Sequence, residues 1–262
     1  MLLEAILLIA ILSTSFIVCL DKVMYPRHSR IFRGKPKLVI FSQSILPVLL
    51  IIFCLRSFTF EIFRIPSGSM KPTLIEGDLV LVDKYSFGLR VPILGYRLTP
   101  GVPQRGDIAV FRGEIDGKTV GLIKRIVGLP GDHIQYVDRI LYVNGKPAKQ
   151  LDLRKDIDRQ ANGKELKVIW AIEELGTLQH SILMTAKNDD VEFPYADLIV
   201  PRNSYYVMGD YRSNSQDSRY WGVLKDKKLI GKARLIAFSF DWQHRFAWPN
   251  KSIRWSRIGT LN

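Results

Sequence analysis

Two stretches near the start of the chain are almost wholly apolar. Residues 2–20 carry one charge, Glu4, among Leu, Ile, Ala and Val, and residues 38–55 carry none. Each is close to the ~20 residues an α-helix needs to cross a bilayer. Pro47 falls inside the second run and is expected to kink it, which a membrane helix tolerates when neighbouring groups satisfy the freed backbone. A buried helix of a soluble protein is the alternative for that run. From residue 56 the pattern changes to short apolar runs that read as strands: 78–84, 107–112, 120–127, 139–143, 198–208 and 228–240. Gly and Pro punctuate them at Gly88, Pro92, Gly106, Pro130-Gly131 and Asn144-Gly145, the last a strong hairpin signal. No long stretch repeats at 3.6 residues. The expected fold is two N-terminal transmembrane helices, then a mainly antiparallel β domain. Residues 146–197 are more polar and charge-rich, and read as a smaller β insertion.

Charge adds topology. The chain has 38 Lys and Arg against 25 Asp and Glu, a net +13. Between the apolar runs, residues 21–37 hold Lys22, Arg27, Arg30, Arg33, Lys35 and Lys37 against Asp21 alone. Basic residues are retained on the cytoplasmic side. The expected order is therefore a first membrane helix at 1–20, a cytoplasmic basic loop at 21–37, a second helix at 38–55 and an exported domain at 56–262. A cleaved leader fits the first run poorly: it lacks a basic lead-in, and no Ala-x-Ala-like site follows it. Cys19 suggests a lipoprotein site, but Val18 before it is bulky. Both cysteines, Cys19 and Cys54, fall in the apolar runs, so the exported part has none to pair. No Cys/His cluster has zinc spacing.

Aromatic positions raise a second membrane contact. Phe58, Phe60, Ile62 and Ile65 nearly alternate, which reads as a strand over the core or as a surface resting on lipid. Trp242, Phe246, Trp248 and Trp255, interleaved with Arg245, Lys251 and Arg254, have the same amphipathic composition. Basic and aromatic residues also serve single-stranded nucleic acid, a poor reading beside a membrane.

Three segments carry candidate chemistry. In Pro66-Ser67-Gly68-Ser69-Met70-Lys71-Pro72-Thr73-Leu74, small residues expose backbone amides beside hydroxyls, as a nucleophile with an oxyanion hole requires. A plain turn has the same composition. In Lys124-Arg125-Ile126-Val127-Gly128-Leu129-Pro130-Gly131-Asp132, a lysine sits within a strand-like run. It is either a surface residue or, if buried, a group that loses its proton readily and serves as a base. The third segment, Gly209-Asp210-Tyr211-Arg212-Ser213-Asn214-Ser215-Gln216-Asp217-Ser218-Arg219-Tyr220-Trp221-Gly222, is a polar turn with an internal ion pair or part of a site. Nothing marks out any of His28, His133, His180 or His244.

In this order, after two apolar runs, the three segments resemble those of bacterial type I signal peptidases, the Ser/Lys leader peptidases, from Met1 to about residue 256. The resemblance implies a membrane-bound serine endopeptidase that removes signal peptides from exported preproteins, cutting after small residues of the Ala-x-Ala type. It implies Ser69 as nucleophile, Lys124 as general base, and Ser67 with the Ser69 amide as oxyanion hole. Ser215 matches a serine that orients the lysine, and Asp217 and Arg219 a supporting charged pair. Met70, Leu74 and Ile123 match positions lining the pocket for the residue before the cut. No metal or cofactor is implied. The implied partners are exported preproteins, the lipid bilayer and, by proximity, the export machinery, with no nucleic acid. The implied location is the bacterial inner membrane, with the catalytic domain on the periplasmic side. Lys71 departs from the family pattern, where another Met is common, as do Tyr211 and Ser213, where Asn and Asp are common. A membrane-anchored binding module without catalysis, or a self-cleaving Ser/Lys protease, are the rival readings.

Overall fold

The computed structural model describes residues 2–24, 36–89, 96–115, 117–159, 165–186, 195–241 and 252–261. Of the sequence features above, Arg27, His28, Arg30, Arg33, Lys35, Pro92, Trp242, His244, Arg245, Phe246, Trp248 and Lys251 lie outside the described residues. The chain forms two compact units, one of Met1–Glu61 with Gly88–Pro100, the other of Ile62–Phe87 with Gly101–Asn262.

In the first unit, helix α1 spans Leu2–Met24 and α2 spans Lys37–Phe58. Both are long and apolar enough to cross a membrane. They extend past the apolar runs, through Asp21 and Lys22 and from Lys37, because backbone hydrogen bonding does not stop where hydrophobicity does. Ile9, Leu12, Phe16, Phe41, Ile51 and Leu55 are exposed, which a protein in water avoids on this scale. The hydroxyls of Ser13, Thr14 and Ser44 donate to carbonyls four residues back, so each is satisfied within its own helix. Helix α2 runs through Pro47 as one element.

The second unit is mainly antiparallel β. Its largest sheet has strand order β1-β2-β14-β3-β4-β12-β13, with β15 added to β14. These strands are β1 (Phe60–Arg64), β2 (Asp78–Asp83), β3 (Ile108–Ile115), β4 (Lys118–Gly128), β12 (Ser204–Met208), β13 (Leu224–Lys225), β14 (Leu229–Ser239) and β15 (Gly259–Thr260). In the 57–66 stretch, helix gives way to β1. Ile65 is buried, whereas Phe60 and Ile62 are exposed. A four-stranded sheet, β11-β5-β6-β7, joins β5 (His133–Val137), β6 (Ile140–Val143), β7 (Lys146–Pro147) and β11 (Ala196–Ile199). Asn144 and Gly145 close the β6–β7 hairpin with positive φ of 53° and 75°, the conformation a two-residue turn of this kind demands. The stretch read as one strand, 198–208, is two, β11 and β12, broken at Asn203 with φ 54°.

A three-stranded sheet, β10-β9-β8, is built from β8 (Gln150–Arg159), β9 (Glu165–Leu175) and β10 (Leu178–Thr185). We call it the accessory sheet. It fills most of 146–197, while both ends of that stretch, in β7 and β11, pair into the four-stranded sheet. Its pattern is weakly amphipathic because β8 is an exposed edge strand.

Candidate active site

The Ser67–Met70 turn follows β1 directly. Its entrance is fixed by Ile65, whose amide donates to the Asp78 carbonyl and whose carbonyl accepts from Gly77. Gly68–Met70 forms one turn of 3-10 helix. The side chains of Met70 and Leu74 are fully buried in a cluster with Ile65, Ile108 and Ile123, so the turn is anchored immediately after Ser69. Met70, Leu74 and Ile123 are thus brought together.

Lys124 reaches the turn from β4, where it lies opposite Ala109 of β3. Its Nζ stands 2.5 Å from Ser69 Oγ. The side chain is buried, and burial holds its pKa down at about 8, well below the ordinary lysine value. Asp217 and Asp210 oppose this by favouring the ammonium, and Arg219 adds to it. Ser67 is exposed, with Oγ 3.5 Å from Ser69 Oγ.

The third wall is the loop leaving β12. The Tyr211 amide donates to the Ser69 carbonyl at 3.1 Å. Gly209 packs so closely there that a Cβ would collide with Ser215 and with the Ser69 carbonyl, which explains a residue without a side chain at that point. Asp217 and Arg219 form a buried pair through two 2.8 Å hydrogen bonds. Asp217 also accepts from the Gly209 amide at 2.9 Å and caps the short helix α3 (Ser218–Trp221) by accepting from the Arg219 amide. Burial alone would raise the Asp217 pKa; the Arg219 hydrogen bonds and charge hold it below the usual carboxylate range. Ser215 is buried beside them. Its Oγ makes no hydrogen bond of ordinary geometry, to Lys124 or otherwise, though its hydroxyl lies close enough to Asp217 to help hold that carboxylate low. The structure therefore brings Ser67, Ser69, Lys124, Ser215, Asp217 and Arg219 to one place, and shows no Ser215–Lys124 bond.

Several members of the site escape sequence reasoning. Arg125, next to Lys124, forks onto Asp210 through 2.9 and 2.7 Å bonds and donates to the Gly106 carbonyl at 2.8 Å. Thr73 donates to the same carboxylate at 2.5 Å, so Asp210 ties β4 to the segment after the Ser67–Met70 turn. Arg212 pairs through two nitrogens with Glu173 of β9. His180 of β10 is buried between these pairs, 3.6 Å from Glu173 and 3.8 Å from Asp210. Neither ring nitrogen has a hydrogen-bond partner, and burial pushes its pKa down to about 4. Arg125, Asp210 and Arg212 stand within the sequence motifs; no local signal points to Glu173 or His180. Among the described residues, no three of His, Cys, Asp and Glu are grouped to hold a metal ion.

The arrangement offers a buried amine against a hydroxyl, with backbone and hydroxyl donors beside it. Known proteins place it in context. The family model for "Signal peptidase, peptidase S26" matches residues 38–238. A signal peptidase I of Pseudomonas aeruginosa is 39% identical over 240 residues, covering 87% of this chain and 81% of the relative. One from Pseudomonas fluorescens is 38% identical over 239 residues, covering 87% and 80%. A third, from Buchnera aphidicola of Acyrthosiphon pisum, is 39% identical over 255 residues, covering 84% and 80%. With a match to the family model over most of its length and relatives at this identity, the chain belongs to the signal peptidase family, peptidase S26.

Proposed function

We propose that this chain is a membrane-anchored serine endopeptidase that removes signal peptides from exported preproteins through a Ser69/Lys124 dyad. The carrying observation is the 2.5 Å approach of Nζ to Ser69 Oγ with the lysine held near pKa 8. Neutral Lys124 accepts the Ser69 proton as Oγ attacks the scissile carbonyl. Negative charge develops on the carbonyl oxygen, where the Ser69 amide and the Ser67 hydroxyl donate to it. The lysine ammonium then gives its proton to the departing amine. Water, deprotonated by the same lysine, releases the acyl-enzyme. Ser215 orients the lysine from the Asp217–Arg219 side, and neither a metal nor a cofactor takes part.

Met70, Leu74 and Ile123 form the apolar floor beneath the residue before the cut, so small side chains of the Ala-x-Ala type are accepted. The substrate runs extended along strand edges. Helices α1 and α2 cross the inner membrane, residues 21–37 face the cytoplasm, and the β domain works on the periplasmic side, near the export machinery. A reporter fused at Lys35 is then active only inside the cell; activity only outside would reverse the topology.

The deciding experiment incubates the purified full chain, and its Ser69→Ala variant, with a preprotein carrying an Ala-x-Ala site and sequences the new N-terminus. Cleavage after the final Ala, absent in the variant, is expected. Cleavage persisting in Ser69→Ala would remove Ser69 as nucleophile. No cleavage by either protein would favour a membrane-anchored binding module.

A further inference from the structure

We infer that Asp158, on the accessory sheet, is a positioning residue for the nucleophile turn, acting through Lys71 and Tyr211; this rests on the Ser69/Lys124 reading above. Asp158 stands near the end of edge strand β8, 87 positions from Lys71. Its Oδ1 accepts a hydrogen bond from Lys71 Nζ at 3.0 Å, and both side chains are largely shielded, 8% and 12% exposed. The Lys71 stem folds back across Gly68, where it lies close to the space a Cβ would occupy. Glu76 gives the same ammonium a second, longer contact at 3.5 Å.

The other oxygen of Asp158 is buried and has no hydrogen bond of ordinary geometry, and the same holds for the Tyr211 hydroxyl. The two groups are electrostatically coupled: after burial, Asp158 is what raises the Tyr211 pKa to about 12. Tyr211 is the residue whose amide holds the Ser69 carbonyl. Its ring packs with Val168 and Leu183 of the accessory sheet. One carboxylate therefore pairs with the residue two after Ser69 and acts electrostatically on Tyr211, whose amide is bound to the Ser69 backbone.

A solvated ion pair at a surface contributes little. This one is shielded, and it spans the two segments that fix where Ser69 Oγ points. A misplacement of about 1 Å at reacting atoms costs on the order of 10²-fold in rate. Loosening the turn should slow acylation without weakening substrate binding, because neither Lys71 nor Asp158 belongs to the substrate pocket.

The test uses the full chain in detergent with the same preprotein, comparing wild type with Lys71→Met, Asp158→Asn, the swap Lys71→Asp/Asp158→Lys, and Lys71→Arg. Expected are kcat losses of roughly tenfold or more for each of the first two, with KM within about twofold. Their combination should lose little more than either alone, since they share one interaction. Lys71→Arg and the swap should recover most of kcat. Thermal unfolding midpoints, read on every variant, separate lost fold from lost placement, and Lys71→Arg keeps the test open where a neutral variant fails to fold. Wild-type kcat in both single variants, losses confined to KM, or no recovery in Lys71→Arg would each overturn the inference. Failure of the wild type to cleave would instead remove the dyad reading on which it stands.

Discussion

Lys124 and Arg125 are consecutive residues of β4, both cationic and both buried, 5% and 1% exposed. Their surroundings differ in one respect. Arg125 is ion-paired with a carboxylate, Asp210, held through two bonds of its planar fork. Among the described residues, Lys124 has only the Ser69 hydroxyl at hydrogen-bond distance. The nearest candidates to pair with it are taken: both Asp217 oxygens bind Arg219, and both Asp210 oxygens bind Arg125. Burial is common to both cations. What separates a paired structural ion from an amine free to act as the proposed base is whether a carboxylate is left over. The bidentate arginines keep these carboxylates away from the lysine, and desolvation then dominates its pKa.

The largest effect should come from removing the reactive partners. Ser69→Ala and Lys124→Ala are each expected to lower kcat by about 10³-fold or more, and the double variant should be little worse, because the two act as one unit. Single-turnover cleavage of a preprotein measures this. A Lys124→Ala protein retaining most of its rate would make Lys124 a structural cation like its neighbour and dissolve the contrast.

Stability should separate the neighbours in the opposite sense. Asp210→Ala strands Arg125 in the interior and should cost about 3–5 kcal/mol. Lys124→Met has similar volume and removes a group that burial disfavours as a cation. At pH 7, below the folded pKa of about 8, the folded state carries the full cost of the buried ammonium, roughly 3 kcal/mol at most. Lys124→Met should therefore be inactive yet at least as stable as wild type by denaturant midpoint at pH 7. A loss as large as that of Asp210→Ala would show that Lys124 is charge-paired after all.

His180 extends the same rule to an imidazole. It lies beside Glu173 and Asp210, but each is already engaged, by Arg212 and by Arg125 with Thr73. Its folded pKa, about 4, lies below the free value of 6.5, so between these pH values the unfolded chain binds more protons and stability rises with pH. Below pH 4 the full penalty is present. Asp132, Asp210 and Asp217, held low, lose their contribution only at the acid edge of this window or below it. His180→Leu should flatten the dependence of unfolding midpoint on pH between about 6.5 and 4, an effect of up to roughly 3 kcal/mol. An unchanged slope would mean that His180 is charged where it lies.

The contrast explains how far the sequence could be read. The apolar helices and most strands of the large sheet follow from period and punctuation. Ser69 and Lys124 stand in recognisable segments. The charged groups packed behind them are assembled from separate segments: Glu173 and His180 come from β9 and β10, in a stretch whose polar, charge-rich pattern points to a β insertion but to no site residue. Local pattern cannot reveal that Glu173 pairs with Arg212, which follows 39 positions later. Lys71, Tyr211 and Ser213 are legible only as departures from a pattern. In the structure all three face the accessory sheet: Lys71 through Asp158, Tyr211 through Leu183, and Ser213 by accepting from the Thr185 amide at 3.0 Å.

The smallest effect is the most direct measure of the carboxylate rule. With Lys124 near pKa 8, about a tenth of the molecules carry a neutral base at pH 7 and half at pH 8. Turnover should rise about fivefold across that unit and less than twofold from pH 8 to 9. Arg219→Gln alters the same profile from outside the dyad. It removes a cation that lowers the lysine pKa, and it loosens the claim on Asp217, the carboxylate that raises it most. Both changes favour the ammonium, so the midpoint of the activity profile should move to higher pH. Rates at pH 7 should then fall while the alkaline plateau is largely kept. A simple loss of fold would lower both ends equally. A midpoint that stays near 8, or moves towards neutrality, would show that the Arg219–Asp217 pair does not hold the lysine pKa down and that the arginine at 219 supports only the loop.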